Sequence, residues 1–189
     1  LDGVTRGEIK KLLVLESLPK PVNFSGGMDL TSWLGTFTLE RVLGTVPVYP
    51  DGSAHFKLPA DRPVFFVALD ENDMSVKRMQ SFLSVAPGEV TSCVGCHEQR
   101  GTSYPHQSGP RIAMSRPPSP IQPFEGLPGV LDFHRDIQPI LDRYCVKCHN
   151  WKKHAGHLSL AGDLGVMWSI PYYALIARLQ VADGRNGMG

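Results

Sequence analysis

Residues 1 to about 92 read as β structure, in short apolar and β-branched runs joined by turns, with one stretch of clean apolar–polar alternation. Ile9 to Glu16, with Leu12 and Val14 among apolar neighbours, reads as a largely buried strand. Thr38 to Tyr49, rich in β-branched and aromatic residues, reads as a second. Pro50-Asp51-Gly52 predicts a turn, because proline presets φ and glycine accepts a positive one. Clean alternation follows, with Ala54, Phe56 and Leu58 on one face and Ser53, His55 and Lys57 on the other, so His55 is expected on the wet side. Pro63 to Asp70 predicts another strand, Asp70 to Asp73 a turn, and Ser75 to Val85 one or two strands more. Short strands with turns at this spacing imply an antiparallel, β-sandwich-like domain over residues 1–97.

The rhythm then changes. Seven of the sixteen prolines fall between Pro105 and Pro128, so residues 98–130 read as a semi-rigid, extended linker that cannot sustain a helix or a ladder. Such a segment is expected to be ordered only by wrapping another surface. Beyond it, Asp136 is the expected N-cap and Pro139 falls in the first turn of a short helix. Ile137, Ile140, Leu141 and Tyr144 make its apolar stripe, and Cys145 ends it. Pro171 opens a last helix through Val181, with Leu175, Ile176 and Leu179 as its apolar face. The fold class expected is therefore α+β, with residues 131–189 forming a small, mostly α domain.

Composition alters this picture little. The 189 residues carry a net charge of +1, which gives no basic footprint for nucleic acid. The longest apolar runs, such as Leu12 to Leu15 and Val64 to Leu69, fall far short of a membrane span. The chain begins at Leu1 rather than methionine and ends at Gly189 without a closing element. It reads as a segment of a longer protein, incomplete at its C-terminal domain.

The cysteines change the picture decisively. All four are used by two copies of one pattern, Cys93-Val94-Gly95-Cys96-His97 and Cys145-Val146-Lys147-Cys148-His149. Cys-x-x-Cys-His is the attachment signature of c-type haem. Two thiols one turn apart reach the two vinyl groups of a porphyrin, and the following imidazole points at the iron. Two covalently bound haem c groups are expected, on Cys93 and Cys96 and on Cys145 and Cys148, with His97 and His149 as proximal ligands. A four-thiolate zinc site is the main rival, although the gap between the pairs is far longer than usual for a ribbon or finger. Local disulfides and a thioredoxin-like redox pair are further readings. Candidates for the sixth ligands are His106 and Met167 first, then His134, His154, His157 and Met114. Covalent haem attachment in bacteria takes place outside the cytoplasm, so a periplasmic or other extracytoplasmic location is expected.

A family resemblance accompanies these motifs. Gly44-Thr45-Val46-Pro47-Val48, Asp51-Gly52-Ser53-Ala54, Leu58-Pro59-Ala60 and Pro87-Gly88-Glu89, leading into the first motif, resemble the middle domain of hydrazine synthase alpha subunits over about residues 8 to 100. Asp132-Phe133-His134-Arg135-Asp136-Ile137-Gln138-Pro139-Ile140-Leu141, ending in the second motif, is similar to planctomycete-type cytochrome c domains. The resemblance implies a catalytic first haem ligated by a tyrosine four residues after the motif histidine. This sequence has Gly101 there, with Tyr104 as the nearest tyrosine.

Three functions are compatible with the residues. The leading expectation is a dihaem cytochrome passing electrons between redox partner proteins, in which spacing and ligation tune the potentials. The alternative is a haem enzyme subunit acting on small nitrogen species, assembled with other subunits of a larger complex. A ligand sensor, or a module in which haem completes the core, is the third.

Overall fold

The structure is a computed structural model, and it describes residues 4–19, 39–79, 81–95, 109–166 and 168–177. These residues fall into two compact units, one built from 4–18 and 40–129 and the other from 130–177.

In the first unit, the apolar and β-branched runs produce strands where they predict them. Strands β1 (Lys11–Leu18), β2 (Leu39–Pro47), β3 (Val64–Leu69) and β4 (Ser75–Arg78) form one four-stranded sheet in the order β2-β1-β3-β4. β3 is antiparallel to both β1 and β4. Among the described residues there is this single small sheet rather than two packed sheets, so the architecture is α+β with a sheet. The register explains why β1 and β3 are apolar on both sides. Leu13 and Leu15 lie opposite Val67 and Phe65 on one face, while Val14 lies opposite Phe66 on the other. The first face forms a cluster of Leu15, Phe65, Val67 and Leu69, and the second a cluster of Val14, Val46 and Val64. Each fully buried valine there contributes about 1.5–3 kcal/mol relative to exposure.

A charge is also buried in this sheet. Glu16 is only 7% exposed, and the guanidinium groups of Arg41 and Arg62 each donate to its carboxylate at 3.3 Å. The pairing satisfies a carboxylate that would otherwise be costly to remove from water.

Phe56 and Leu58 pack on the valine face, as their alternation requires, while Lys57 is exposed. The stretch nevertheless makes a single bridge rather than a strand. Its partner is Ser119, flanked by Pro118 and Pro120, so only Ser119 can donate on that side. Its N–H donates to His55 O at 2.9 Å, and the Lys57 N–H donates to Ser119 O at 3.1 Å. His55 is half-buried, its Nδ1 lying 3.3 Å from Arg116 O.

The described part of the proline-rich stretch, 109–129, lies in this first unit. Further attachments besides the Ser119 bridge hold it there. Thr45 and Gln122 exchange two backbone hydrogen bonds of 2.8 Å. The Asp51 carboxylate accepts from the Ile112 N–H, and the Ser53 hydroxyl from the Ala113 N–H. Gly44, at φ +136°, is where the chains approach most closely: a Cβ there would lie 2.2 Å from Gln122 O.

The second unit opens with Asp132, whose carboxylate caps the Arg135 N–H, while the Asp136 carboxylate reaches back to the Asp132 N–H at 2.7 Å. The N-cap is thus Asp132 rather than the expected Asp136, which supplies the reciprocal half of a capping box. A π-helical turn, Phe133–Ile137, leads into α1 (Gln138–Tyr144), with Pro139 in its first turn. Helix α2 (Ile170–Ala177) has Pro171 as its second residue. The part of the predicted last helix beyond Ala177 lies outside the described residues.

Candidate haem-binding site

The second cysteine motif grows directly out of α1. Cys145 is the helix C-cap, and its N–H donates to Leu141 O. The Cys148 and His149 N–H groups both donate to Cys145 O, at 3.1 and 3.0 Å, so the motif continues as one tight turn. Cys145 is half-buried and Cys148 exposed, both with free thiols. His149 is half-buried, and its Nδ1 is fully buried without a hydrogen-bond partner.

The residues after the motif fold back on it. Asn150 organises a turn: its side-chain oxygen accepts from the N–H groups of Lys152 and Lys153, and its amide donates to Val146 O. That turn makes a β-bridge between His149 and His154. The Leu160 N–H then donates to His149 O at 2.9 Å, which brings Ser159 and Leu160 beside the motif histidine. Gln138, at the start of α1, donates from Nε2 to Asp142 and to Leu160 O.

Beside this assembly is a cleft of ≈ 340 Å³ lined by Trp151, His154, His157, Ser159, Ile170 and Tyr173, with Ala174 at its edge. The Trp151 indole N–H is anchored on Asp163, and the His154 ring meets the indole edge-on at 5.9 Å. The apolar stripe of α1 is partly turned outward, with Ile140 53% and Tyr144 68% exposed.

Electrostatics around the entry to α1 come from one ion pair. Hydrogen bonding from Arg135, then from the Asp132 N–H, holds the Asp136 carboxyl below the usual carboxylate range. The same contact pushes the Arg135 guanidinium up.

Of the first motif, Cys93 is exposed on an irregular stretch after β4, while Cys96 and His97 lie outside the described residues, as do His106 and Met167. His134 is exposed on the π-helical turn, edge-on to Phe133. Met114 is 65% exposed in a short 3-10 turn in the first unit. His154 and His157 are the sixth-ligand candidates that share the cleft. Among the described residues no three His, Cys, Asp or Glu side chains converge as a ligand set.

The comparisons with known proteins bear on the first unit most directly. Residues 7–98 match the family model described as hydrazine synthase alpha subunit middle domain. The matched stretch ends on the first cysteine motif.

Hydrazine synthase subunit alpha of Kuenenia stuttgartiensis is 25% identical, over an alignment covering 78% of this chain and 26% of that protein. The solved Kuenenia stuttgartiensis hydrazine synthase superposes with a TM-score of 0.57 at 20% identity, covering 96% of this chain and 30% of that one. At that identity the superposition speaks to the fold. The chain therefore spans about a quarter of the length of its curated relative.

Sequence reasoning had passed over Gln138 and Ser159. A glutamine beside Pro139 in an otherwise apolar helix start was the available signal for the first. Nothing local marked Ser159, whose burial depends on the chain returning to His149.

Proposed function

We propose that this chain is the two-haem portion of a subunit in an enzyme that acts on small nitrogen species, related to hydrazine synthase. The observation that carries it is the order of parts: a stretch matching the synthase alpha middle domain runs into one haem-attachment motif, and a second motif follows. This similarity favours the enzymatic reading over the simple electron-transfer cytochrome expected from the motifs alone.

The second motif fits a covalent haem in three respects. Its cysteines are free and lie on one turn. The buried, unpartnered Nδ1 of His149 is costly for a structural histidine, by about 1–3 kcal/mol, and such groups concentrate at functional sites. Trp151, Ile170 and Tyr173 give the adjoining cleft an apolar wall suited to a porphyrin edge. Haem held there by Cys145, Cys148 and His149 would supply one-electron chemistry, and at an open axial position would take a small diatomic or nitrogen ligand. For the first motif, Cys93, Cys96 and His97 have the same roles. Gly101 at the position where the family resemblance implies a tyrosine leaves His97 as the proposed axial ligand. Partner subunits and an extracytoplasmic location belong to the same proposal, and among the described residues no helix is long and apolar enough to cross a membrane.

The test is a haem-loaded preparation of the full chain. Intact mass and pyridine haemochrome count the haems, and spectra of the reduced protein with carbon monoxide or nitric oxide report an open site. Two haems, one of which binds the gases, with hydrazine formed in the presence of the partner subunits, is the expected result. Two low-spin haems that ignore both gases return the protein to electron transfer. A mass equal to the bare polypeptide ends the haem reading and revives zinc.

A further inference from the structure

Three buried side-chain atoms without partners occur among the described residues, and all belong to one neighbourhood: His149 Nδ1, Gln138 Oε1 and Ser159 Oγ. The Leu160 peptide links them. Its N–H donates to His149 O and its carbonyl accepts from Gln138 Nε2 at 2.9 Å, while Ser159 is the preceding residue.

Hydrogen bonding fixes the orientation of the glutamine amide. Its nitrogen end faces two acceptors, Asp142 Oδ1 at 2.8 Å and Leu160 O, so the amide orientation follows from the hydrogen-bond network. Its stem is braced by Gly162, where a Cβ would lie 3.2 Å from Gln138 Cγ. Gln138 is 5% exposed, and its Oε1 is a buried acceptor that no protein donor meets. A histidine that ligates a metal through Nε2 carries its proton on Nδ1, and that N–H requires an acceptor. Donor and acceptor are thus both present, both buried and both unused.

We infer that Gln138 is the positioning residue for the second haem, its Oε1 accepting the His149 Nδ1–H once Nε2 is committed to iron. The inference rests on the haem reading above. A His149 ring orientation that turns Nδ1 towards Gln138 closes the bond, and the Ser159 hydroxyl is the third unpartnered group of the same neighbourhood. Accepting that hydrogen bond makes the imidazole a stronger electron donor, which favours ferric over ferrous iron and lowers the reduction potential of this haem.

The experiment compares the full haem-loaded chain with Gln138→Met, which keeps the volume and removes the strong acceptor. In Gln138→Met the potential of the second haem rises, by the equivalent of roughly tenfold in the reduction equilibrium, and the first haem is unmoved. Equal potentials in both proteins overturn the inference, even if Gln138→Met lowers Tm, since a purely structural glutamine would do only that. The wild-type chain gives a reading that needs no variant: in proton NMR of the reduced protein, the His149 ring N–H is protected from exchange and shows contacts to the Gln138 side chain. A freely exchanging ring N–H refutes the assignment. Failure of the haem reading is separately visible, because pyridine haemochrome is then negative in the wild type.

Discussion

Replacing Gly44 by alanine tests how firmly the proline-rich stretch is held to the sheet. The added Cβ would lie 2.2 Å from Gln122 O, 2.6 Å from Gln122 C and 2.8 Å from Ile121 Cγ2, all far inside contact distance. Two of these atoms are backbone, so no side chain can swing aside, and the 121–122 segment must move off β2. Moving it breaks the two hydrogen bonds between Thr45 and Gln122, at about 0.5–1.5 kcal/mol each. It also withdraws Ile121 from the valine cluster, at a cost of about 1 kcal/mol for partial exposure. Holding a non-glycine residue at φ +136° adds about 1–3 kcal/mol. The sum is a loss of about 3–7 kcal/mol, a large part of the stability of a small domain. Gly52→Ala is the comparison, because Gly52 is at φ +80° with nothing within 4 Å of its Cβ position, leaving about 1–2 kcal/mol of backbone strain alone. Equilibrium urea unfolding of both variants measures the difference, and hydrogen exchange at the Thr45 and Gln122 amides locates it. If Gly44→Ala costs no more than Gly52→Ala, or the Thr45 amide stays protected, the close approach does not hold the stretch in place.

Further outcomes follow from the site and its approach. Cys145→Ser with Cys148→Ser should halve the haemochrome absorbance and lower the intact mass by one haem, with the first haem retained; an unchanged haem count would remove the second motif from the proposal. Asp132→Ala should cost the second unit about 1 kcal/mol through loss of the cap on the Arg135 N–H, read as a lower urea midpoint. On the acid side, Asp51 is held below 3.8 by the Ser53 hydroxyl and then the Ile112 N–H, and Asp136 by Arg135 and then the Asp132 N–H. A depressed folded value means the carboxylates stabilise the fold fully above 3.8, and that contribution is lost as the pH falls through the folded values. Asp51→Asn with Asp136→Asn should therefore flatten the decline in urea midpoint on acidification; an identical acid slope in the double variant would refute the linkage.

Much of this protein was legible from the sequence because its strongest signals are short-range. The apolar runs Leu12 to Leu15 and Val64 to Leu69 read as buried strands from neighbours alone, and a haem-attachment motif is five residues long. The two elements that departed from expectation did so for reasons lying elsewhere in the chain. Phe56 and Leu58 alternate like a strand, yet their partner Ser119 is boxed by prolines and can form only one bridge. Asp136 has the identity of an N-cap, yet Asp132 four residues earlier takes the position and leaves it the reciprocal role. Similarity to a nitrogen-species enzyme likewise shifted the functional reading away from electron transfer, which motif chemistry alone had favoured.

By itself the sequence determined where the two Cys-x-x-Cys-His motifs fall and which stretches can be strand or helix, since each depends on spacing within a turn or a pleat. Only the tertiary structure decided which polar groups lose water together. Gln138, His149 and Ser159 are separated by at least ten residues from one another, and their meeting depends on the Leu160 peptide pairing with both the motif and the helix. Burial and hydrogen-bond satisfaction are properties of such long-range pairings, which is why the surroundings of His149 had to be found in the fold.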